Sequence, residues 1–454
     1  MKVRFPPRAL MIRKIFSIVI FLVVFFISSS SVSAIVDPND VPNNKFGIHI
    51  FSEKDLQSAA SLVNSGGGDW GYVTFVITEG ERDHDRWQKV FDQMRRLHLI
   101  PIVRLATKAE GSSWNAPQEA EINNWVGFLN SLNWVTQNRY VVINNEPNHA
   151  GEWGGRVDPA GYAKYLKQFS QKLKVASPDF FVLPAGLDPS SINSSSSMTE
   201  NRFLSQMMSE EPNIFDYIDG WTSHAYPNVS IDIFYRELGI IGKNLPVFIT
   251  ETGWPNNKYS EDQISSNLTR AFTNTWNDPK VVAVTPFILD YTNPPFDVYS
   301  WKKADGFFYN FYSDIQKATK TRGTPKQIES GQIYAAFAQP VIITGMDFVG
   351  AILAKNTGQT IWTQGSISIG DESGDFTLKT SSMRDIEPTK LGLIYFKAAE
   401  SQNEGVYTNS LFLEGTDNKK ITNSFSIEGW ITTIEKEKIS RFFNEILIKM
   451  ISFK

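Results

Sequence analysis

The chain of 454 residues is too long for one average domain, but it suffices for a barrel of roughly 250 residues and a second domain of about 100. Its 44 basic and 48 acidic residues give a net charge of −4, without the basic excess that nucleic-acid binding requires. It has no cysteine, which excludes disulfides, thiolate catalysis and cysteine metal sites, and its five histidines are scattered. We therefore expect no metal, no other cofactor and no nucleic acid.

Residues 1–34 have the three parts of an export signal. A basic region precedes the apolar run Ile15–Ile27, and the small residues Val32–Ala34 follow it. The apolar run is short for a membrane span, so a cleaved secretory signal is predicted, with an uncleaved anchor as the alternative. Either way we expect a secreted or cell-surface protein, in which residues 35–44 form a linker.

From residue 45 to residue 319, short apolar runs alternate with amphipathic segments of helical period. The helical patterns include Arg86–Leu97, Gln118–Leu132, Ala160–Val175 and Asp262–Trp276. The β-type runs are Phe46–Ile50, Tyr72–Ile77, Ile100–Leu105, Tyr140–Ile143, Phe180–Ala185, Gly220–His224, Val247–Thr250 and Val281–Leu289. Eight nearly continuous apolar strands separated by helices predict an α/β fold, a parallel sheet closed into a (β/α)8 TIM barrel. An open doubly wound sheet is the alternative, although no G-x-G-x-x-G motif follows the first strand.

The pattern changes after residue 319. Residues 320–337 are predicted to be a polar connector, and residues 338–432 alternate apolar and polar side chains with period two. This alternation predicts a β-sandwich of about seven strands. The run Lys355–Gly358, followed by Trp362, resembles the opening strands of immunoglobulin-like accessory domains in secreted bacterial enzymes.

Residues 433–454 are predicted to form an amphipathic helix. Its apolar side chains recur at spacings of three and four, and its polar side carries a basic excess. One interpretation is a helix that docks on its own protein. The other is a membrane-surface helix, which would add membrane contact through the termini.

Polar residues stand where several of the predicted barrel strands end, and in such a barrel these ends face one shared mouth. Two apolar strands, the fourth and the seventh, each run into a glutamate, Glu146 and Glu251. Burying a carboxylate without a partner would cost several kcal/mol. A single glutamate at the end of an apolar strand therefore indicates a structural ion pair. Two of them, flanked by other polar residues, predict a site. The other polar residues at the strand ends are His49, Arg104, Asn145, His224, Tyr226 and Asp290, with Asn145 at the end of strand four beside Glu146.

Two of these motifs resemble the signatures of clan A glycoside hydrolases, the four/seven superfamily of retaining (β/α)8 enzymes. They are Asn-Glu-Pro at 145–147 and Glu-Thr-Gly-Trp at 251–254. The resemblance covers residues 45–319 and implies that Glu146 is the general acid/base and Glu251 the nucleophile. It also implies that Asn145 hydrogen-bonds the sugar 2-hydroxyl, that Tyr226 hydrogen-bonds the nucleophile, and that His224 lines the sugar site.

The chain departs from the clan pattern in two places. The arginine common at the end of strand two lies here on strand three, as Arg104. Strand eight ends in Asp-Tyr where a sugar-stacking tryptophan is common, and Trp301 is predicted to return from the loop to fill that place. Trp153 and Trp254, directly after the catalytic strands, are further candidates for stacking on sugar rings. His149 and Glu152 are candidate sugar hydrogen-bonders in the loop after strand four.

The sequence therefore predicts a retaining glycosidase acting on a β-linked oligo- or polysaccharide. Retention needs one carboxylate that is ionised to attack the anomeric carbon and one that is protonated to release the leaving oxygen. The alternative is a carbohydrate-binding cell-surface barrel that has lost turnover, although both catalytic positions are still glutamate. A lyase or aldolase would require a Schiff-base lysine or metal ligands at the strand ends, and the sequence offers neither.

Overall fold

The computed structural model describes residues 35–111, 113–344, 346–373, 376–398 and 404–433. The predicted export segment 1–34 lies outside these residues, and so does the predicted C-terminal helix apart from its first residue, Thr433. No helix in the described ranges is long and apolar enough to cross a membrane.

Strands and helices alternate over residues 47–317, and eight of each are described there besides short 3-10 turns and a small hairpin at 109–114. The strands are β1 (Gly47–His49), β2 (Gly71–Thr78), β3 (Leu99–Ala106), β4 (Arg139–Ile143), β5 (Phe180–Pro184), β6 (Trp221–His224), β7 (Val247–Glu251) and β8 (Val281–Val284). The helices are α1 (Leu56–Val63), α2 (His84–Arg96), α3 (Ile122–Ser131), α4 (Pro159–Ala176), α5 (Glu200–Glu210), α6 (Phe234–Ile241), α7 (Glu261–Thr273) and α8 (Asn310–Lys317). The predicted α/β alternation is confirmed.

The strands form two parallel sheets, one of β1 to β5 in chain order and one of β6 to β8. One core lies between strands and helices, and a second contains only strand residues such as Ile102, Phe181 and Phe248. Both faces of these strands are therefore buried, which explains why their sequences are continuously apolar rather than alternating. β8 ends at Val284, earlier than predicted, and a bend follows at Phe287.

Eight further strands build two four-stranded sheets around a separate core. They are β9 (Gly331–Ala338), β10 (Val341–Ile343), β11 (Phe348–Asn356), β12 (Ser368–Asp371), β13 (Leu378–Met383), β14 (Leu391–Ala398), β15 (Gly405–Glu414) and β16 (Phe425–Thr432). The sheet orders are β9-β11-β14-β13 and β10-β16-β15-β12. β9 lies in the segment 320–337 that was predicted to be a connector, which is a correction. This edge strand pairs with β11 alone within its sheet, and its adjacent alanines, Ala335 and Ala336, hide the alternation.

The predicted linker 35–44 is also corrected, because it packs against the N-terminal ends of the strands. Val36 and Asn138 exchange two hydrogen bonds, of 3.0 and 2.7 Å. Thr324, from the start of the predicted connector, donates its backbone N–H to the Pro42 carbonyl at 2.9 Å. Asn44 is fully buried. The asparagine side chains satisfy backbone groups there, so a segment that reads as polar is part of the packed structure.

Candidate active site

Glu146 follows the fully apolar end of β4 through a tight backbone turn. Asn144 and Glu146 have positive φ values of 70° and 32°, which is unusual for residues with side chains and marks local strain. The Glu146 N–H donates to the Gly186 carbonyl at 3.0 Å, which holds the turn against the end of β5. A Cβ on Gly186 would lie 2.3 Å from Cδ2 of His224, so only glycine allows the imidazole to lie there.

Glu251 is the last residue of β7 and is buried. The pairing of β6 with β7 shifts register between Ser223 and His224, so that His224 lies opposite Glu251. Such bulges re-aim side chains beside active sites. Here the shift brings the imidazole to the carboxylate at the end of the neighbouring strand.

Three side chains converge on the two glutamates. His224 Nδ1 lies 2.6 Å from Glu146 Oε1 and 3.8 Å from Glu251 Oε2. One oxygen of each glutamate and one nitrogen of the His224 imidazole all lie within 4.8 Å of one another. Tyr226 Oη donates to Glu251 Oε2 at 3.2 Å, and the Arg104 guanidinium donates to the other oxygen of Glu251.

Arg104 Nη1 also donates to Asn145 Oδ1 at 2.8 Å, so the arginine joins the residues after β4 to Glu251. Five of the residues predicted for the site therefore form one network of hydrogen bonds and ion pairs: Glu146, Glu251, His224, Tyr226 and Arg104. Asn145 lies at the edge of this network.

The surrounding charges keep Glu251 ionised. Burial alone would raise its pKa, but the positive charges of His224 and Arg104 outweigh burial and lower the pKa of Glu251 to about 2. Burial, followed by the Glu251 charge, raises the pKa of Tyr226 well above its usual value, so the phenol keeps its proton and donates it. Glu251 is thus an anion at neutral pH with a donor on each oxygen.

The pKa values of His224 and His49 are shifted in opposite directions. Burial opposes protonation of His224, yet the charges of Glu251 and Glu146 raise the pKa of its imidazole. His49 at the end of β1 is also buried, and there burial and the nearby Arg104 charge lower the pKa to about 3. Its Nδ1 is buried and has no hydrogen-bond partner among the described residues. His49 is therefore a neutral group beside the network.

A third carboxyl group borders the site. Burial raises the pKa of Glu152 to about 7; Arg104 opposes this shift, and the charges of Glu146 and Glu251 add to it. Its neighbour His149 is instead bound to the loop after β5, since its Nε2 lies 2.8 Å from Asp188 Oδ2. Of these two candidate hydrogen-bonders, Glu152 is the one electrostatically coupled to both glutamates.

Glu146, His224 and Glu251 are the only described group of three His, Cys, Asp or Glu residues whose donor atoms come together as metal ligands would. The electrostatics disfavour a cation there, because the Arg104 guanidinium already neutralises Glu251. The same atoms are well arranged to share a proton.

Three tryptophans predicted to stack on sugar lie in the core instead, which is a correction. The ring of Trp153 packs edge-on against Tyr162 of α4, with centroids 5.4 Å apart. Trp254 lies 6.0 Å from Trp276, and Trp301 lies 5.2 Å from Phe311 of α8. All three are buried, because these large rings fill the space between the loops and the outer helices.

Phe287 and Tyr299 take the place near the site that was predicted for Trp301. Tyr299 lies 5.5 Å from Tyr226, and Phe287 meets His49 edge-on at 5.2 Å. Neither residue was predicted for the site. Tyr299 is in the same loop segment as Trp301, and Phe287 was included in the predicted strand eight, where an inward-facing residue could not be told from a core one.

No protein-family model matches the chain, and no curated protein matches it significantly. Among solved structures it is similar to a family 39 glycoside hydrolase from Bacteroides cellulosilyticus, with 11% identity over 80% of this chain and 82% of that one and a TM-score of 0.45. It is also similar to a β-mannanase from Thermomonospora fusca (16% identity, 61% and 92% covered, TM-score 0.41). A third is a family 30 endoxylanase from Clostridium papyrosolvens (11% identity, 80% and 98% covered, TM-score 0.38).

Proposed function

We propose that this protein is a retaining glycoside hydrolase that cleaves β-linked glycosides or polysaccharides. The observation that carries the proposal is the closeness of Glu146 and Glu251, which present carboxylate oxygens within 4.8 Å of each other. Retaining enzymes hold their two carboxyl groups about 5 to 5.5 Å apart, whereas inverting enzymes need about 6.5 to 9.5 Å to admit a water molecule. The short separation favours the retaining class.

The proposal includes closure of the two parallel sheets into one (β/α)8 barrel. At one junction, Phe46 before β1 forms a parallel bridge with Val284 of β8. At the other, the backbone N–H of Asp219 before β6 donates to the Val182 carbonyl of β5 at 2.9 Å. With both junctions joined, the carboxyl ends of β4 and β7 face the same mouth, as catalysis by both glutamates requires.

In the first step, Glu251 attacks the anomeric carbon and forms a glycosyl ester while the bond to the leaving oxygen breaks. Glu146 gives its proton to that oxygen. Arg104 and Tyr226 each donate to one Glu251 oxygen, so the nucleophile is ionised and oriented before the substrate arrives.

In the second step, a water molecule attacks the anomeric carbon and Glu251 leaves as a carboxylate. Glu146, which is now ionised, accepts the proton of that water. Two inversions at the same carbon leave the product with the configuration of the substrate. The free enzyme is restored, with Glu251 ionised and the proton again on Glu146.

His224 is proposed as a positioning residue for this proton. Its Nδ1 is 2.6 Å from Glu146 and 3.8 Å from Glu251, so it responds to the charge of both. When Glu251 becomes an ester, one of the charges that raise the pKa of His224 disappears. In the same step Glu146 gives up its proton, so the negative charge passes to the carboxylate that lies 2.6 Å from the imidazole, and His224 is placed to orient Glu146 as it changes from acid to base.

The remaining assignments are proposals of the same kind. The export pattern in residues 1–34 supports a secreted or cell-surface protein. The sheets of residues 331–432 are proposed as an immunoglobulin-like accessory sandwich. Its described contacts, such as Gln359 Nε2 with the Thr136 carbonyl at 2.8 Å, are with the N-terminal ends of the strands, away from the two glutamates.

The test is hydrolysis of 4-nitrophenyl β-glycosides of glucose, mannose, xylose and galactose, with the first-formed anomer followed by NMR. We expect the β-anomer first, and we expect the matching 2-fluoroglycoside to label Glu251. An α-anomer, or a label on another carboxylate, would contradict the retaining assignment. Saccharide binding without turnover on any substrate would favour the non-catalytic carbohydrate-binding alternative.

A further inference from the structure

Four aromatic rings form a continuous cluster at the carboxyl ends of β8 and β1, here named the rim platform. They are Phe51 after β1 and Phe287, Tyr291 and Phe296 after β8. Ring centroids are separated by 5.1 Å from Phe51 to Tyr291, 6.5 Å from Tyr291 to Phe296 and 5.8 Å from Phe296 to Phe287. Phe51 is 70% exposed and Phe296 is 49% exposed.

The rim platform is continuous with the catalytic network. Phe287 lies 6.3 Å from Tyr299, which lies 5.5 Å from Tyr226, the donor to Glu251. Phe287 also meets His49 edge-on at 5.2 Å. A surface of rings therefore leads from the nucleophile out to the rim of the mouth.

Packing does not explain this exposure. Trp153, Trp254 and Trp301 are buried, whereas Phe51 and Phe296 leave much of their apolar surface in water, which is unfavourable. Exposed apolar patches of this kind mark ligand sites. A polar pair lies beside the rings, since Asp290, next to Tyr291, holds Lys302 at 2.7 Å.

We infer that the rim platform is a subsite that stacks sugar rings of the substrate on the glycone side of the cleaved bond; this rests on the proposed function. Sugar rings present apolar C–H faces that pack on aromatic rings, and the neighbouring charged pair is placed to bind hydroxyl groups. A saccharide is the occupant because the platform continues directly into the site that would cleave one.

The direction follows from the order of the strands. The leaving oxygen lies at Glu146, so the aglycone departs on the side of β4. In the proposed barrel, β8 and β1 lie across the mouth from β4, which places the rim platform under the sugars that precede the one attacked by Glu251. The platform thus favours substrates with several sugars before the cleaved bond over removal of a single terminal sugar.

The test compares 4-nitrophenyl β-glycosides that carry one or three identical sugars, in the glucose, mannose and xylose series. In the wild type we expect kcat/KM to rise with glycone length. In the double variant Phe51→Ala/Phe296→Ala, the ratio of kcat/KM for three sugars to that for one should fall about tenfold or more. The aromatic replacement Phe51→Trp/Phe296→Tyr should restore the ratio.

Phe337→Ala is the matched control, because Phe337 is 62% exposed but lies on β9, in the other pair of sheets. It should leave the ratio unchanged. If the alanine double variant keeps the wild-type ratio, or if all glycone lengths lose the same factor, the inference is wrong.

A binding assay separates failure of this inference from failure of the proposed function. If the wild type hydrolyses none of the glycosides, the proposed function fails, and affinity electrophoresis through soluble glucan, glucomannan and xylan tests the platform alone. Retardation of the wild type and of Phe337→Ala, but not of the double variant, would support the platform. Equal migration of all three proteins would overturn it.

Discussion

The two ends of the parallel strands use buried polar groups in different ways. At the N-terminal end, hydrogen bonds between neutral groups are prominent: Asn138 exchanges hydrogen bonds with Val36, and Tyr72 Oη donates to Asn43 at 2.8 Å. A charged pair, Arg139 with Asp179, also lies there, but its nearest atoms are 3.9 Å apart. At the C-terminal end, ionisable groups share partners. Arg104, for example, donates hydrogen bonds to both Glu251 and Asn145.

This difference separates stability from function. Neutral pairs between backbone and amide satisfy buried polar groups with little dependence on pH, and they hold the fold together. Clustered charges shift one another's pKa values and are costly unless a substrate uses them. If the comparison is correct, variants at the C-terminal end change activity far more than stability, and variants at the N-terminal end do the reverse.

The largest effect is expected for Glu251→Gln. An amide cannot form the glycosyl ester, so kcat should fall by at least about 10⁴-fold while the fold is kept. The measurement is kcat on an aryl β-glycoside together with a circular dichroism spectrum. Glu237→Gln is a matched control, since Glu237 is also a buried glutamate but accepts from Trp221 Nε1 outside the network. Equal losses of kcat in both variants would contradict the proposed difference between the two ends of the strands.

Glu146→Ala should reduce kcat by about 10² to 10⁴-fold on substrates with poor leaving groups. Dinitrophenyl glycosides need no acid to depart, so glycosylation of Glu251 should persist with them. Azide should then enter the space left by the carboxylate and release a β-glycosyl azide, which chromatography of the products would detect. Absence of this product would remove Glu146 from the acid/base role.

Asn138→Ala tests the opposite end. It breaks both hydrogen bonds to Val36 and leaves backbone groups unpaired, which should lower the free energy of unfolding by about 1 to 3 kcal/mol. Urea denaturation gives this value, and kcat per folded molecule should match the wild type. A loss of kcat without a loss of stability would show that the two ends are not functionally distinct.

Glu152→Gln should change the pH dependence of stability. The pKa of Glu152 is about 7 in the folded protein and ordinarily 4.5, so between these values the folded state holds a proton that the unfolded state has released. Stability contributed by this group therefore falls as pH rises from about 4.5 to 7, by at most about 1.4 kcal/mol per pH unit. Urea midpoints at pH 5 and pH 7.5 should diverge less in the variant. An identical divergence would place the titration elsewhere.

The smallest effect is expected from removing the second pair of sheets. A chain that ends at Gln327 keeps the segment whose Gly323 and Thr324 bind the N-terminal end, and it should retain kcat on aryl glycosides. A chain that ends at Thr319 also loses Lys320, whose ammonium group donates to the Ile315 carbonyl, and should be clearly less stable. Melting temperatures and kcat of the two chains check this. Loss of kcat in the folded longer chain would tie the sheets to the active site.

Much of the fold could be predicted because its signals are local. The continuously apolar runs reflect strands buried on both faces, and helical periodicity marks the segments between them. The approach of Glu146, Glu251, His224, Tyr226 and Arg104 could be anticipated because all of them stand within three residues of the carboxyl end of a strand. β9 could not be predicted, because its two adjacent alanines interrupt the alternation of apolar and polar side chains that marks a strand.

The burial of the aromatic residues near the site could not be predicted from the sequence. Trp153, Trp254 and Trp301 stand beside the catalytic motifs but are buried against distant rings, while Phe51 and Phe296 gave no motif signal and line the rim. Burial of a loop residue depends on which helices and loops pack over it. Those contacts join segments far apart in the chain.

The alternation of strands and helices and the two glutamates that end apolar strands can be recognised in the chain alone, because periodicity and strand-end position are properties of neighbouring residues. Three-dimensional packing sets the distance between those glutamates, the two donors on Glu251 and the rings that face the mouth. These features depend on the register between strands, such as the shift that brings His224 opposite Glu251, and on packing between remote segments. Small changes in either would separate the same residues by several ångströms, roughly the difference between the two carboxyl spacings of glycosidases.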